Sequence, residues 1–328
     1  MTDHRAAQER WNRYWEHGFV TSCSGAFAGN YEGTLKTAWE DFFAELPAGA
    51  RVLDICTGNG AIAMIANQLA RTRGLDFEIH AIDSAVIRPL ETVREGRDLL
   101  EGIRFHSQTP AESTPFEDRY FNAISGQYAF EYAEETGCIR EMARVAAPGC
   151  RLQLIIHHQG SLVIETSKEE LRNGVLVFAE TRVFDAAKAM IELVGNARSP
   201  AEKQALARNP EAEARRLDLN KAAETLSRAA QTSPHPELLQ MALDRVAGAY
   251  RTVGAGPETA LAQLEAGRQE IQANLDRLQD LMAASRSPED IRRITGALAD
   301  AGFDTQDPEE FRHDNGPLMG WRVQAQLS

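Results

Sequence analysis

Arg51-Val52-Leu53-Asp54-Ile55-Cys56-Thr57-Gly58-Asn59-Gly60-Ala61-Ile62-Ala63 is the stretch on which the reading of this chain turns. Val52 to Ile55 is a short apolar run of the kind that forms a buried parallel strand, and it breaks into a glycine turn. A helix-forming run from Ala61 to Arg71 follows at once. Strand, glycine turn and helix, in that order, bring backbone N–H groups and a helix N-terminus against a bound cofactor. Gly58 and Gly60 lack a Cβ, which predicts close approach of a ligand to the backbone there.

Gly58-Asn59-Gly60-Ala61-Ile62-Ala63 satisfies G-x-G-x-x-G/A, the dinucleotide fingerprint, and Asp83 stands at a suitable distance downstream to hold a ribose. Asp83 ends a second apolar strand, Phe77 to Ile82, where its carboxylate would accept hydrogen bonds from ribose hydroxyls. Nicotinamide, flavin and S-adenosylmethionine (SAM) enzymes all place an acid there. The pair therefore points to a nucleoside-type ligand without choosing among the three, and a plain βα turn with a solvated Asp is the bland alternative.

The next sixty residues separate these ligands. The run from Ala111 through Pro115-Phe116 to Tyr120-Phe121 and Ser125 resembles the class I SAM-dependent methyltransferase signature, in which an A-E-x-x-P-F segment precedes an acidic turn and a strand ending in Ser. Arg140 to Leu152, with Pro148-Gly149, resembles that family's helix, turn and fifth strand. Ala299 to Phe303 and Gly320 to Val323 resemble its closing helix and strand pair. The resemblance covers 51–158 and 288–328. It implies a doubly wound, mostly parallel seven-stranded α/β sheet, SAM as cofactor with S-adenosylhomocysteine as product, and in-line methyl transfer to a small-molecule acceptor, at oxygen or nitrogen. The cofactor residues expected are Asp54, Thr57, Gly58, Asn59, Gly60, Asp83, Ser84, Ala111, Glu112, Ser125 and Gln127.

Three positions depart from the family pattern. Cys56 stands where a first glycine is usual, so the turn is expected to be less demanding there. Pro110 replaces an Asp that often reads the adenine amino group, which passes that contact to the Ala111 backbone and its neighbours, with Glu112 a weaker candidate. Asn122 replaces the usual Asp of the fourth strand.

Composition bounds the function. Across 328 residues, 35 basic against 48 acidic side chains give a net charge of −13. That average repels a phosphate backbone, and no Lys/Arg block with interleaved aromatics offsets it, so a nucleic-acid partner is not expected. Cys23, Cys56, Cys138 and Cys150 are scattered without a C-x-x-C pair, suggesting neither a disulfide scaffold nor a metal site. The first residues lack a signal-peptide core and no run is long enough to span a membrane, so the expected compartment is the cytoplasm.

Three regions differ in character. Residues 1–47 carry nine of the 23 aromatics and read either as helices packed on the sheet or as a lid over cofactor and substrate, with Gly18, Gly25, Gly29 and Gly33 giving hinge freedom. Residues 48–160 and 287–328 are the alternating strand–helix core, with strands near 51–55, 77–82, 103–106, 121–125, 151–157, 304–312 and 319–327. Residues 161–286 are rich in Ala, Leu, Glu and Arg, with proline-marked helix starts at Ser199-Pro200, Gly256-Pro257 and Ser287-Pro288. This block reads as a helical insertion, a cap shaping the substrate site. Its seam of Leu261, Leu264, Arg268, Ile271, Leu275, Leu278 and Met282 must bury itself, in an intramolecular bundle by preference or in a homodimer.

The chemistry needed is modest: donor and acceptor must be held in line and water excluded. Side chains beyond the ends of the fourth and fifth strands are placed for it. Gln127, Tyr128 and Glu131 are candidates for the methionine end of SAM or the acceptor, and Tyr14, Trp15 and Tyr31 for the substrate. His157 and His158 are both nominated as catalytic base, because histidine titrates near neutrality, while strand alternation allows one of them to face the pocket. A protein or peptide acceptor, and a non-catalytic SAM-binding helical interaction protein, are the alternatives.

Overall fold

The computed structural model describes residues 2–22, 29–195, 197, 199–314 and 316–328, with the side chains of residues 2–7 and 203 excepted. Cys23, Gly25, Phe27 and Asn315 lie outside the described residues. The chain divides into two compact units, Met1–Ile164 with Leu281–Ser328 and Glu165–Asp280.

The first unit opens with helices α1 (Thr2–Glu16) and α2 (Gly33–Ala44). Strands β1 (Arg51–Asp54), β2 (Glu78–Ile82), β3 (Arg104–His106), β4 (Phe121–Gln127) and β5 (Ala146–Ile156) then alternate with α3 (Ala61–Arg73), the one-turn α4 (Pro89–Thr92) and α5 (Glu135–Val145). After the second unit, α12 (Pro288–Asp300) leads into β6 (Phe303–Thr305), β7 (Glu309–Arg312) and β8 (Leu318–Leu327). The sheet runs β3-β2-β1-β4-β5-β8-β6, with β7 paired to β8. The pairs from β3 to β5 are parallel, and β8 is antiparallel to β5, β6 and β7.

The strand count is eight, not the seven expected. The single strand foreseen over 304–312 is two short ones, because Gln306-Asp307-Pro308 intervenes and Pro308 has no N–H for a ladder.

Alternation along each strand sends successive side chains to opposite faces. Val52, Ile79 and Ala123 join α2 and α3 in one apolar layer, around Leu35, Trp39, Phe43, Ile62 and Ile65. Leu53, Ile124, Leu152 and Leu154 join α5 and α12 in the other, around Met142, Ile291, Ile294 and Leu298. Helices on both faces of a mostly parallel sheet make the unit doubly wound. Asn122, the departure on the fourth strand, has a structural use: its Oδ1 accepts the Arg51 N–H at 2.9 Å, fastening the start of β4 to β1. The proline-marked start of α12 carries a full capping box, Ser287 Oγ accepting the Asp290 N–H at 3.1 Å and Asp290 accepting the Ser287 N–H at 3.0 Å.

The second unit is helical. It contains α7 (Val183–Gly195), α8 (Pro200–Leu206), α9 (Pro210–Thr232) and α10 (Glu237–Arg251), with most of α6 (Leu162–Val175) and α11 (Pro257–Ala284). Leu264, Ile271, Leu275 and Leu278 of the α11 seam are buried in the unit's own core, with Val183, Phe184, Leu226, Leu239 and Ala242. Arg268, which interrupts the seam, is exposed and paired with Glu265 at 2.8 Å.

Candidate active site

Strand order reverses between β1 and β4: the chain builds outward from β1 through β2 to β3, then returns to β4 on the other side. Ligands of open α/β sheets bind beyond the carboxyl ends of the strands at such a point. The turn of residues 55–60 and the segment after β4 both lie there.

The turn is held by backbone hydrogen bonds, Ile55 N–H to Ser125 O and Thr57 N–H to Ile82 O at 2.9 Å each, and by side chains from three strands. Asp54 is buried at the end of β1; its Oδ2 accepts from Thr57 Oγ1 at 2.5 Å and its Oδ1 from Ser125 Oγ at 2.8 Å. Asp83 is buried at the end of β2, with Oδ2 accepting the Gly58 N–H at 2.7 Å and Oδ1 the Ala85 N–H at 2.8 Å. Asp83 is thus not a solvated acid. It clamps the turn to the next strand and keeps one lone pair on each oxygen for a ligand hydroxyl. Burial pushes the pKa of Asp54 up to about 6 against the hydroxyl hydrogen bonds that pull it down, and pushes Asp83 up to about 6 as well. Gly60 precedes α3 in the left-handed region at φ 91° and has no side chain to cap the helix; buried Asp54 instead takes a backbone hydrogen bond from Ala63 in its first turn.

Two expectations for the turn need correction. Cys56 was expected to relax it, yet Cys56 adopts φ 46°, the left-handed conformation a glycine would take without strain. The cysteine is tolerated there; the demand is unchanged. Second, the space left by the absent Cβ atoms is filled by the chain itself. A Cβ on Gly58 would lie 2.3 Å from the Trp15 ring, and one on Gly60 would lie 2.9 Å from the Phe105 ring. Asn59 reinforces the contact, its Nδ2 donating to Trp15 O at 3.0 Å and Phe19 O at 2.8 Å. Gln8 Nε2 donates to Ser84 O at 2.5 Å, and Asn12 Oδ1 accepts the Val86 N–H at 2.7 Å. The aromatic-rich N-terminal helix therefore lies along the βα turns, with Trp15 over Gly58.

Other nominated residues divide between fastening the fold and facing the site. Ser125 is committed to Asp54. Ala111 is buried, and Glu112 accepts the Glu134 N–H through Oε1, steadying the approach to α5. Tyr31 is buried in the α2/α3 layer, and Tyr14 Oη donates to Thr21 O at 2.9 Å. Gln127 Oε1 accepts from Trp39 Nε1 at 2.7 Å. Tyr128 takes φ 51°, donates its hydroxyl to Met319 O at 3.1 Å and stacks on His157 with ring centres 4.1 Å apart and parallel planes.

His157 and His158 follow β5 and have different surroundings. His157 is 1% exposed, and burial drops its pKa to about 3, so its imidazole is neutral. His158 packs against Trp321 with ring centres 4.4 Å apart, and its Nδ1 accepts the Gly160 N–H at 2.8 Å; burial lowers its pKa too. Glu131 accepts the His157 N–H through Oε1 at 2.7 Å, and burial pushes its pKa up to about 7. Arg286 sits beside them, its Nη2 donating to Glu131 O at 3.0 Å and its N–H to His157 O at 2.8 Å. Arg286 was not foreseen, because nothing local in the sequence marks a side chain at the far end of a long insertion; Ser161, three residues after His158, carries no motif that singles it out.

Residues 53–154 match the family model described as a methyltransferase domain. Among curated proteins, the chain is similar to the chloroplastic 2-phytyl-1,4-beta-naphthoquinone methyltransferase of Arabidopsis thaliana, 26% identical over 43% of this chain and 54% of that protein. It is likewise similar to the ubiquinone/menaquinone biosynthesis C-methyltransferase UbiE of Chromobacterium violaceum, 30% identical over 50% of this chain and 63% of that protein. The chain thus spans between half and two thirds of the length of these relatives. Among solved structures it aligns with the YcgJ protein of Bacillus subtilis at 25% identity, over 43% of this chain and 57% of that one, with a TM-score of 0.31. Strand order, glycine turn, acid at the end of β2 and the match to the methyltransferase domain model coincide on one segment, residues 53–154.

Proposed function

We propose that this chain is a SAM-dependent methyltransferase acting on a small molecule. The observation that carries the reading is the Asp83 clamp. A buried carboxylate at the end of β2 fixes the turn before α3 at the switch point of the sheet, within the segment that matches the methyltransferase model. The residues suit the cofactor. Asp83 keeps a lone pair on each oxygen for two ribose hydroxyls, and Ala111 is a small buried residue. When bound, SAM supplies a methyl group already activated on a sulfonium. The chain's part is then to hold the acceptor in line and to exclude water, which the Trp11, Tyr14 and Trp15 cluster favours.

The acceptor atom is proposed as oxygen or nitrogen. The relatives' names carry a second reading, carbon methylation of a quinone-type ring. A cytoplasmic location is proposed with the same standing; no helix among the described residues is long and apolar enough to cross a membrane. Calorimetric titration with SAM and with S-adenosylhomocysteine tests the reading. Binding of both at micromolar concentrations is expected, and folded protein that binds neither rejects it.

A further inference from the structure

Beyond the ends of β4 and β5, buried polar atoms accumulate without hydrogen-bond partners among the described residues: Gln127 Nε2, Glu131 Oε2, His157 Nδ1, Ser161 Oγ and Arg286 Nε. Three of the residues, Glu131, His157 and Arg286, are linked directly to one another. Glu131 holds the His157 backbone, Arg286 holds the Glu131 carbonyl and the His157 carbonyl, and the Ser161 N–H donates to His158 O at 2.9 Å. Gln127, Glu131, His157 and Ser161 are each more than nine-tenths buried. Buried polar groups normally find partners, and a cluster that does not is built around something that enters it. Aromatic rings adjoin the cluster: Tyr128 stacks on His157, Tyr132 meets His157 edge to face at 6.1 Å, and Trp11 meets Tyr132 edge to face at 5.6 Å.

The unpartnered set has a definite polarity. Gln127 Nε2 and Arg286 Nε are donors, Ser161 Oγ is both donor and acceptor, and Glu131 Oε2 is an acceptor when ionised. A hydroxyl on a flat ring suits such a set, its oxygen having lone pairs for two of the donors and its proton being able to point at the carboxylate.

Resting on the methyltransferase reading above, we propose that Glu131 is the catalytic base, taking the proton of a hydroxyl group carried on an aromatic acceptor ring. The acceptor oxygen forms a bond to the methyl carbon through its lone pair. The carbon–sulfur bond breaks and leaves its electron pair on sulfur, while the hydroxyl proton passes to Glu131 Oε2. Glu131 suits the task better than either histidine. Burial holds it near the point where it exchanges protons at neutral pH, whereas the same burial leaves His157 a weak base. The ionisable and charged groups around Glu131 are Arg286, whose guanidinium favours the carboxylate, Cys56, whose thiol burial keeps protonated, and the neutral His157.

The test uses the full chain and its Glu131→Gln variant, which keeps a carbonyl oxygen for the His157 N–H. Methyl transfer from radiolabelled SAM to 1-naphthol and 1,4-naphthalenediol is measured from pH 5.5 to 9, with S-adenosylhomocysteine affinity measured alongside. Expected are a wild-type kcat that climbs through one ionisation and then levels, and a variant at least 100-fold slower that lacks this limb while binding S-adenosylhomocysteine within twofold of wild type. A variant with wild-type kcat and pH profile overturns the proposal. So does a wild-type protein that binds S-adenosylhomocysteine yet methylates neither probe. If neither protein binds S-adenosylhomocysteine, the cofactor reading itself fails and takes the proposal with it.

Discussion

The turn after β1 and the segment beyond β4 and β5 meet at the same edge of the sheet, yet the first satisfies nearly all of its buried polar groups and the second leaves several unpaired. At the turn, Asp54 and Asp83 each use both oxygens on the chain's own donors, and Asn59 donates twice through its amide. Beyond β4 and β5, atoms of Gln127, Glu131, His157, Ser161 and Arg286 remain without partners among the described residues. Leaving such a group unmade costs about 1–3 kcal/mol. The first region is held largely by its own hydrogen bonds, with Asn59 Oδ1 its one unpartnered buried side-chain atom among the described residues. The second holds an unmet demand for hydrogen bonds, which is how an acceptor site differs from a cofactor cradle.

Four substitutions test that contrast. Asp83→Ala should have the largest effect, since it removes two charge-assisted hydrogen bonds worth about 1.5–3 kcal/mol each. Unfolding free energy in urea should fall by about 3 kcal/mol or more, and S-adenosylhomocysteine should bind at least tenfold more weakly. Unchanged values would mean that the turn holds its shape without the clamp.

Glu131→Gln sharpens the other side. Glu131 has a folded pKa raised from 4.5 to about 7, so in the wild type its contribution to stability is full below pH 4.5 and is lost as the pH rises to about 7. The variant should therefore gain on wild type across that window, by at most on the order of 2–3 kcal/mol, and stay level above it. Thermal melts of both proteins from pH 4.5 to 8 measure the difference, and a gap that does not grow with pH would show that Glu131 titrates normally.

Gly58→Ala comes next. The left-handed φ of 55° costs an alanine about 1–2 kcal/mol, and its Cβ would collide with Trp15. Lower stability with a changed near-ultraviolet circular dichroism signal is expected; a silent substitution would show that Trp15 does not rest on the turn. Cys56→Gly is the smallest effect and runs the other way. Relief of strain at φ 46° should stabilise the protein by about 1 kcal/mol, less whatever the thiol's packing contributes.

Much of this was legible in the sequence, and the illegible remainder has physical reasons. Strand, turn and helix from Arg51 to Arg73 are local, because glycine conformation and apolar runs specify them within a few residues. Pro308 marked the break between β6 and β7, and Asn209-Pro210 marked the start of α9, whose Asn209 side chain caps Glu211 N at 2.8 Å; both signals were local and were passed over. Asn122 looked like a lost acid, but the pairing partner that gives it a use is Arg51, 71 residues away. Trp15 over Gly58 and Arg286 beside Glu131 are equally non-local, and no periodicity encodes them. Burial is equally invisible to local sequence, and it lowers the pKa of His157 while raising that of Glu131.

A crystal structure of the protein soaked with S-adenosylhomocysteine tests the central claim most directly. Ligand lying across residues 57–60, with the Trp15 ring displaced from Gly58, both ribose hydroxyls on Asp83 and the sulfur facing Glu131, is the predicted result. Clear density for the turn with no ligand on it, or with the ribose held by some other group, would contradict it.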